Sequence, residues 1–140
     1  MEIDPRGPRF SAVITVIVLA AVLVTGSVWL LAAQLVVFTI GALAGLRYHP
    51  YGLVYRHLIR PRIGPPAHTE AEAPPRFAQG MGMVIAAAGV VCYALGATTG
   101  GIVFTALALI AAFLNAAFDI CLGCQVYLFI QRNQRVRPSA

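Results

Sequence analysis

The chain has 140 residues, 59% of them hydrophobic and 11% charged, a balance that excludes an ordinary water-soluble domain and leaves room for only one domain. Its net charge of +5 comes from ten arginines and no lysine. These arginines adjoin apolar runs and do not cover a basic face, which points to a membrane surface and excludes nucleic acid as a partner.

Met1 to Arg9 leads into an apolar stretch with no small-residue cleavage site ahead of a soluble domain, so the stretch reads as a retained first span and not as a signal peptide. From Phe10 to Leu46, 37 residues carry no charge. As one helix they would reach about 55 Å at 1.5 Å per residue, against a hydrocarbon core of about 30 Å. The run must fold back, and Thr25-Gly26-Ser27 is the breaker near its middle. The expectation is a first hairpin, about residues 10–46, with spans Phe10 to Val24 and Val28 to Leu46. Gly41 and Gly45 give its second span a small-xxx-small face for close helix packing.

A cytoplasmic loop is expected over about residues 47–79. Its first part, Tyr48 to Arg60, suits an amphipathic interfacial helix with Tyr48, Tyr51 and Tyr55 on one side and Arg56, His57 and Arg60 on the other. The prolines from Arg60-Pro61-Arg62 to Ala73-Pro74-Pro75 then predict an extended, polyproline-like segment. The second uncharged run, Phe77 to Phe118, divides at Gly96-Ala97-Thr98-Thr99-Gly100-Gly101. That gives a second hairpin, about residues 80–118, with spans Gly80 to Leu95 and Ile102 to Phe118, in which Cys92 reads as a packing residue. Residues 119–140 form an interfacial C-terminal segment. Backbone amides cannot stay unpaired in lipid, so each span has to be helical. The expected fold is therefore an all-α membrane protein of four transmembrane helices, arranged as two pseudo-repeated hairpins with interfacial amphipathic helices.

Orientation follows from charge. All ten arginines lie before the first span, between the hairpins or after the last span, and both hairpin tips carry none. The positive-inside rule then puts the N-terminus, the central loop and the C-terminus in the cytoplasm of a multi-pass inner-membrane protein. The halves resemble one another: Pro8-Arg9-Phe10 recurs as Pro75-Arg76-Phe77, and the segment from His49 to Tyr55 aligns with that from Cys121 to Tyr127. Because both copies enter from the same side, the repeat is parallel. It sets Arg47 opposite Asp119, either as a structural pair across the pseudo-axis or as two residues that snorkel separately.

Chemistry concentrates at Cys121-Leu122-Gly123-Cys124. Two thiols at this spacing can close a disulfide, relay a persulfide or bind a soft metal, and cysteine is also a comfortable structural residue in a membrane helix. Gly123 suits a tight turn. A helix starting near Cys124 would favour thiolate through its dipole, whereas Asp119, one turn from Asn115, either accepts a thiol proton or opposes thiolate by its charge. Cys121, Cys124 and Asp119 are thus the candidate catalytic residues. His49, His57 and His68 have no spacing that commits them to a metal, and no cofactor is expected.

The stretch from Arg60-Pro61-Arg62-Ile63-Gly64-Pro65-Pro66 through Glu70 to Pro74-Pro75-Arg76-Phe77-Ala78-Gln79, with the later cysteine motif and Tyr127, resembles a bacterial family of small membrane proteins described as domain of unknown function 4395. The resemblance covers most of the chain. It implies a protein encoded near thioredoxin-like and rhodanese-like sulfurtransferase proteins, hence thiol redox or sulfur transfer at Cys121 and Cys124 with such a soluble partner. The other reading is a non-catalytic membrane anchor or accessory subunit of a larger complex, or a homo-oligomer. No nucleotide-binding glycine loop or Ser-His-Asp set marks a self-contained enzyme.

Overall fold

A computed structural model describes residues 2–136 of the chain. Arg137, counted above among the basic residues after the last span, lies outside the described residues, as does the side chain of Arg135. The fold is all-α apart from one antiparallel ribbon in which β1 (Glu2–Ile3) pairs with β2 (Glu70–Ala71). Helix α1 covers Arg6–Thr25, and α2 covers Val28–Thr39 and runs on as a π-helical turn, Ile40–Ala44. After a 3-10 turn at Leu46–Tyr48 come α3 (Pro50–Val54), a π-helical turn (Tyr55–Ile59) and α4 (Arg60–Ile63). Helices α5 (Ala73–Ala94), α6 (Thr98–Phe118) and α7 (Leu122–Val136) complete the described residues.

Three of these helices, α1, α5 and α6, are long and apolar enough to cross a membrane, and Val28–Ala44 is a shorter apolar helix. The expected break at Thr25-Gly26-Ser27 is present. Gly26 takes the left-handed conformation at φ 67° and its amide donates to the Val22 carbonyl, while the Ser27 hydroxyl accepts from the Leu30 amide and starts α2. The second break is narrower than expected. Only residues 95–97 interrupt the helices, and Thr98 to Gly101 belong to α6. Gly100 and Gly101 serve packing there: a Cβ on Gly100 would meet Cys92 Sγ at 2.9 Å, and one on Gly101 would meet the Tyr93 ring at 2.8 Å.

The four long elements form a ring. Helix α1 packs on α2 and α6, and α5 packs on the other side of the same two helices. Leu19, Val22, Leu31, Phe38, Ala86 and Ala108 make the buried centre. Polar Gln34 and Thr105 share this interior, while large apolar side chains also cover the outside: Ile17 is 64% and Trp29 83% exposed. A water-soluble bundle sorts these groups the other way. Thr15 and Thr105 satisfy their buried hydroxyls by donating to the Ser11 and Gly101 carbonyls, four residues back.

Three local expectations are corrected. The prolines after Arg60 leave residues 64–72 without helix but do not exclude it on either side: Pro61 lies in the first turn of α4, and Pro74 and Pro75 open α5, which starts seven residues before the expected Gly80. A proline in a first helical turn loses only an amide that has no intrahelical partner. Gly41 and Gly45 do not share a helix face, because Gly45 ends the π turn at φ 111°. The tyrosines after residue 48 do not form one outward belt either. Tyr55 is 2% exposed, and the Tyr51 and Tyr55 hydroxyls donate inward to Gln34 Oε1 at 2.7 Å and Asp4 Oδ2 at 2.8 Å.

Candidate dithiol site

At the end of the bundle where α1 and α5 begin, α6 stops at Asp119, which takes a left-handed conformation (φ 57°, ψ 31°) and donates its amide to the Asn115 carbonyl. The chain turns and starts again as α7 at Leu122. Cys121 stands at the N-cap: its carbonyl accepts from the Gln125 amide at 3.0 Å, and its Sγ accepts from the Cys124 amide at 3.1 Å. The sulfur thus occupies the place usually taken by a serine or aspartate oxygen. Cys121 and Cys124 lie at disulfide distance, their Cα atoms 5.1 Å apart. Both are half-buried.

Gly123 acts by absence of bulk and not, as expected, through a turn. It lies in the first turn of α7, and a Cβ there would meet the Cα and Cβ of Ala78 on α5 at 2.5 Å. Tyr127, one turn on, packs on Phe77 with ring centroids 5.6 Å apart. These contacts press the cysteine turn onto α5. Asp119 is exposed and, with Asn115, Cys121 and Cys124, lines a cleft of about 570 Å³ that continues between α1, α5 and α6 to Thr15, Phe38 and Ala108.

Among the described residues Arg47 and Asp119 form no ion pair with each other. Arg47 is exposed, with its guanidinium carbon 5.5 Å from the centre of the Tyr48 ring. The acid that does gather cations is Asp4, which sequence reasoning passed over. Its carboxylate accepts from Arg6 and Tyr55 and lies 4.0 Å from Arg60. Burial would raise the Asp4 carboxyl, but hydrogen bonds from the Arg6 side chain and backbone and from Tyr55, together with the Arg6 charge, hold it below the usual carboxylate range.

His49 is the N-cap of α3, as Cys121 is of α7, and is 2% exposed. Its Nε2 lies 3.1 Å from Gln79 Oε1, and its ring fills the space left by Gly41. Burial lowers its pKa to about 4, against the opposing pull of the Gln79 hydrogen bond. His57 and His68 are exposed. Among the described residues no three His, Cys, Asp or Glu side chains gather as a metal-ligand set.

Two arginines of the repeated Pro-Arg-Phe motif reach helix ends. Arg76 donates to the Ala42 and Leu43 carbonyls at 2.7 and 2.8 Å, and Arg9 to the Ala116 carbonyl at 3.1 Å. Each satisfies carbonyls that the last helical turn leaves without partners. The motif was visible in the sequence, whereas backbone acceptors leave no mark there. Compared with known proteins, the chain is matched over residues 3–132 by the family described as Domain of unknown function (DUF4395). No curated protein and no solved structure matches it.

Proposed function

The chain belongs to the DUF4395 family, and we propose that it is a four-span inner-membrane protein whose Cys121 and Cys124 form a cytoplasm-facing dithiol exchanging electrons or sulfane sulfur with a soluble thioredoxin-like or sulfurtransferase protein. The observation that carries this reading is the N-cap position of Cys121. A sulfur that accepts the Cys124 amide at the start of α7 gains stabilisation as thiolate from that hydrogen bond and from the helix dipole. Cys121 is therefore the attacking thiol and Cys124 the resolving one.

In the electron-exchange direction, the Cys121 thiolate attacks a partner disulfide and expels one partner thiolate. The Cys124 thiolate then displaces the second partner sulfur and closes the Cys121–Cys124 disulfide. The partner leaves with two thiols, having taken up two electrons and two protons. Asp119, exposed in the same cleft, takes the Cys124 proton. A reducing cytoplasm makes the dithiol the resting form and the disulfide transient.

Maleimide labelling of native membranes at graded pH tests this reading. Cys121 should label at least one pH unit below an ordinary cysteine, whose pKa is about 8.5, and Cys124→Ser should trap a mixed disulfide or persulfide on Cys121. If neither thiol labels and neither serine variant traps a partner, the dithiol role is lost. The anchor role would then fall to the loop from Arg60 to Arg76.

A further inference from the structure

The cleft that begins at the cysteine pair goes deeper than a soluble thiol protein can follow. Its wall on α1 runs from Pro5 to Thr15, ten residues or about 15 Å at 1.5 Å per residue, roughly half the thickness of a hydrocarbon core. Its polarity changes along that length. Asn115, Asp119 and Gln125 line it within a few residues of the cysteines in sequence, and Phe38, Ile85, Ala108 and Ala111 line it toward the bundle centre. At about 570 Å³ it is large enough for a ring and part of a chain. A polar mouth over an apolar depth suits an occupant that enters from the bilayer with its polar end toward the cytoplasm.

We propose that the cleft binds a membrane quinone and that the quinone is the electron acceptor of the Cys121–Cys124 dithiol. This rests on the redox reading above and names its second substrate. The step balances without another reagent. Both S–H bonds break, the Cys121–Cys124 bond forms, and two electrons and two protons convert the quinone to its hydroquinone. The Asn115 side-chain amide donates to a quinone carbonyl as negative charge develops on it, and Asp119 passes thiol protons toward the reduced ring. The exchange described above then runs in reverse to restore the dithiol: a partner thiolate attacks the disulfide at Cys121 and expels Cys124 as thiolate, the second partner thiolate displaces Cys121 and leaves the partner oxidised, so that electrons pass from soluble cytoplasmic thiols to the quinone pool.

The test uses the full chain, reduced and desalted in detergent without oxygen, with decylubiquinone as the probe because its fully substituted ring resists thiol addition. One quinol should form for every two thiols lost, and Cys121→Ser and Cys124→Ser should abolish the reaction. Ala111→Phe, which fills the cleft from α6, should slow oxidation by quinone at least tenfold and leave oxidation by the soluble disulfide cystamine unchanged. An azido-quinone should crosslink the wild-type chain at α5 or α6, a result that needs no folded variant. If cystamine oxidises the pair and quinone does not, or if Ala111→Phe folds and leaves the quinone rate unchanged, the quinone proposal is overturned and the dithiol reading stands. A phospholipid that occupies the cleft and is not displaced by decylubiquinone overturns it too. If neither oxidant closes the disulfide, both readings fall.

Discussion

His49 and Gly123 each hold a position that few other residues could fill. His49 is buried as neutral imidazole with a pKa of about 4, so lowering the pH toward that value favours the unfolded chain, whose imidazoles protonate near 6.5. Stability from this group is fully present above pH 6.5 and is lost as pH falls through 4. The loss amounts to about 3 kcal/mol at 1.36 kcal/mol per pKa unit. Thermal melts in detergent between pH 7 and 4 should show a steeper decline for the wild type than for His49→Gln, which keeps an amide near Gln79. Parallel profiles would mean that His49 is not buried as described. At Gly123 the contact with Ala78 leaves no room for a side chain. Gly123→Val should lift the start of α7 from α5, cost roughly 1–3 kcal/mol as an overpacked contact and make the first turn of α7 easier to cleave by protease. Unchanged cleavage and stability would count against that packing.

The repeated motifs acquire physical content when helices and turns are compared. Phe10 packs on Tyr55 at 5.7 Å between centroids and Phe77 on Tyr127 at 5.6 Å. These are the matching aromatic residues of the two sequence repeats. Arg9 and Arg76 likewise each leave the start of one hairpin to reach the end of the other. The two repeats are unequal in strength, because Arg76 makes two carbonyl bonds from a half-buried position and Arg9 one from an exposed position. Arg76→Ala should cost about 1.5–3 kcal/mol, typical for losing a charged hydrogen-bond donor, and Arg9→Ala less than about 1 kcal/mol. The comparison is made by melting both variants in one detergent, and equal losses would remove the distinction. The repetition itself was legible in the sequence, as were the hairpin break at Gly26 and the cysteine pair. The contact partners were not, since they are backbone carbonyls, a short N-terminal ribbon and an Asp4 that becomes an anchor only when Tyr55 and Arg60 fold over it. The proline-led helix starts are less legible, because the same residue breaks a helix interior and fits a first helical turn.

The arrangement of polarity over the bundle decides which solvent surrounds it and on which side the cysteines work. Arg6, Arg9, Arg47 and Arg76 stand by the ends of α1, α2 and α5 that lie away from the tips at Gly26 and Gly96, Arg56, Arg60 and Arg62 lie in the segment that joins α2 to α5, and those tips carry no charge. A charged loop resists transfer across a bilayer, so the arginine-bearing end should stay in the cytoplasm and the tips should cross. The number of crossings is set by the shortest element. Val28–Ala44 has 17 residues, about 26 Å at 1.5 Å per residue, which is close to a hydrocarbon core of about 30 Å. Its end is held at the basic side by Arg76 on the Ala42 and Leu43 carbonyls. If it crosses, four spans bring the chain back to the side on which it began, and Cys121 faces the same compartment as Asp4. If it does not, α5 and α6 follow an odd crossing and the cysteines move to the oxidising side. Reporter fusions at Gly26 and Thr99 should therefore read as external, and fusions at His68 and after Ala140 as cytoplasmic. An external signal at His68 would invalidate the four-span topology, and with it the reducing environment on which the thiol chemistry depends.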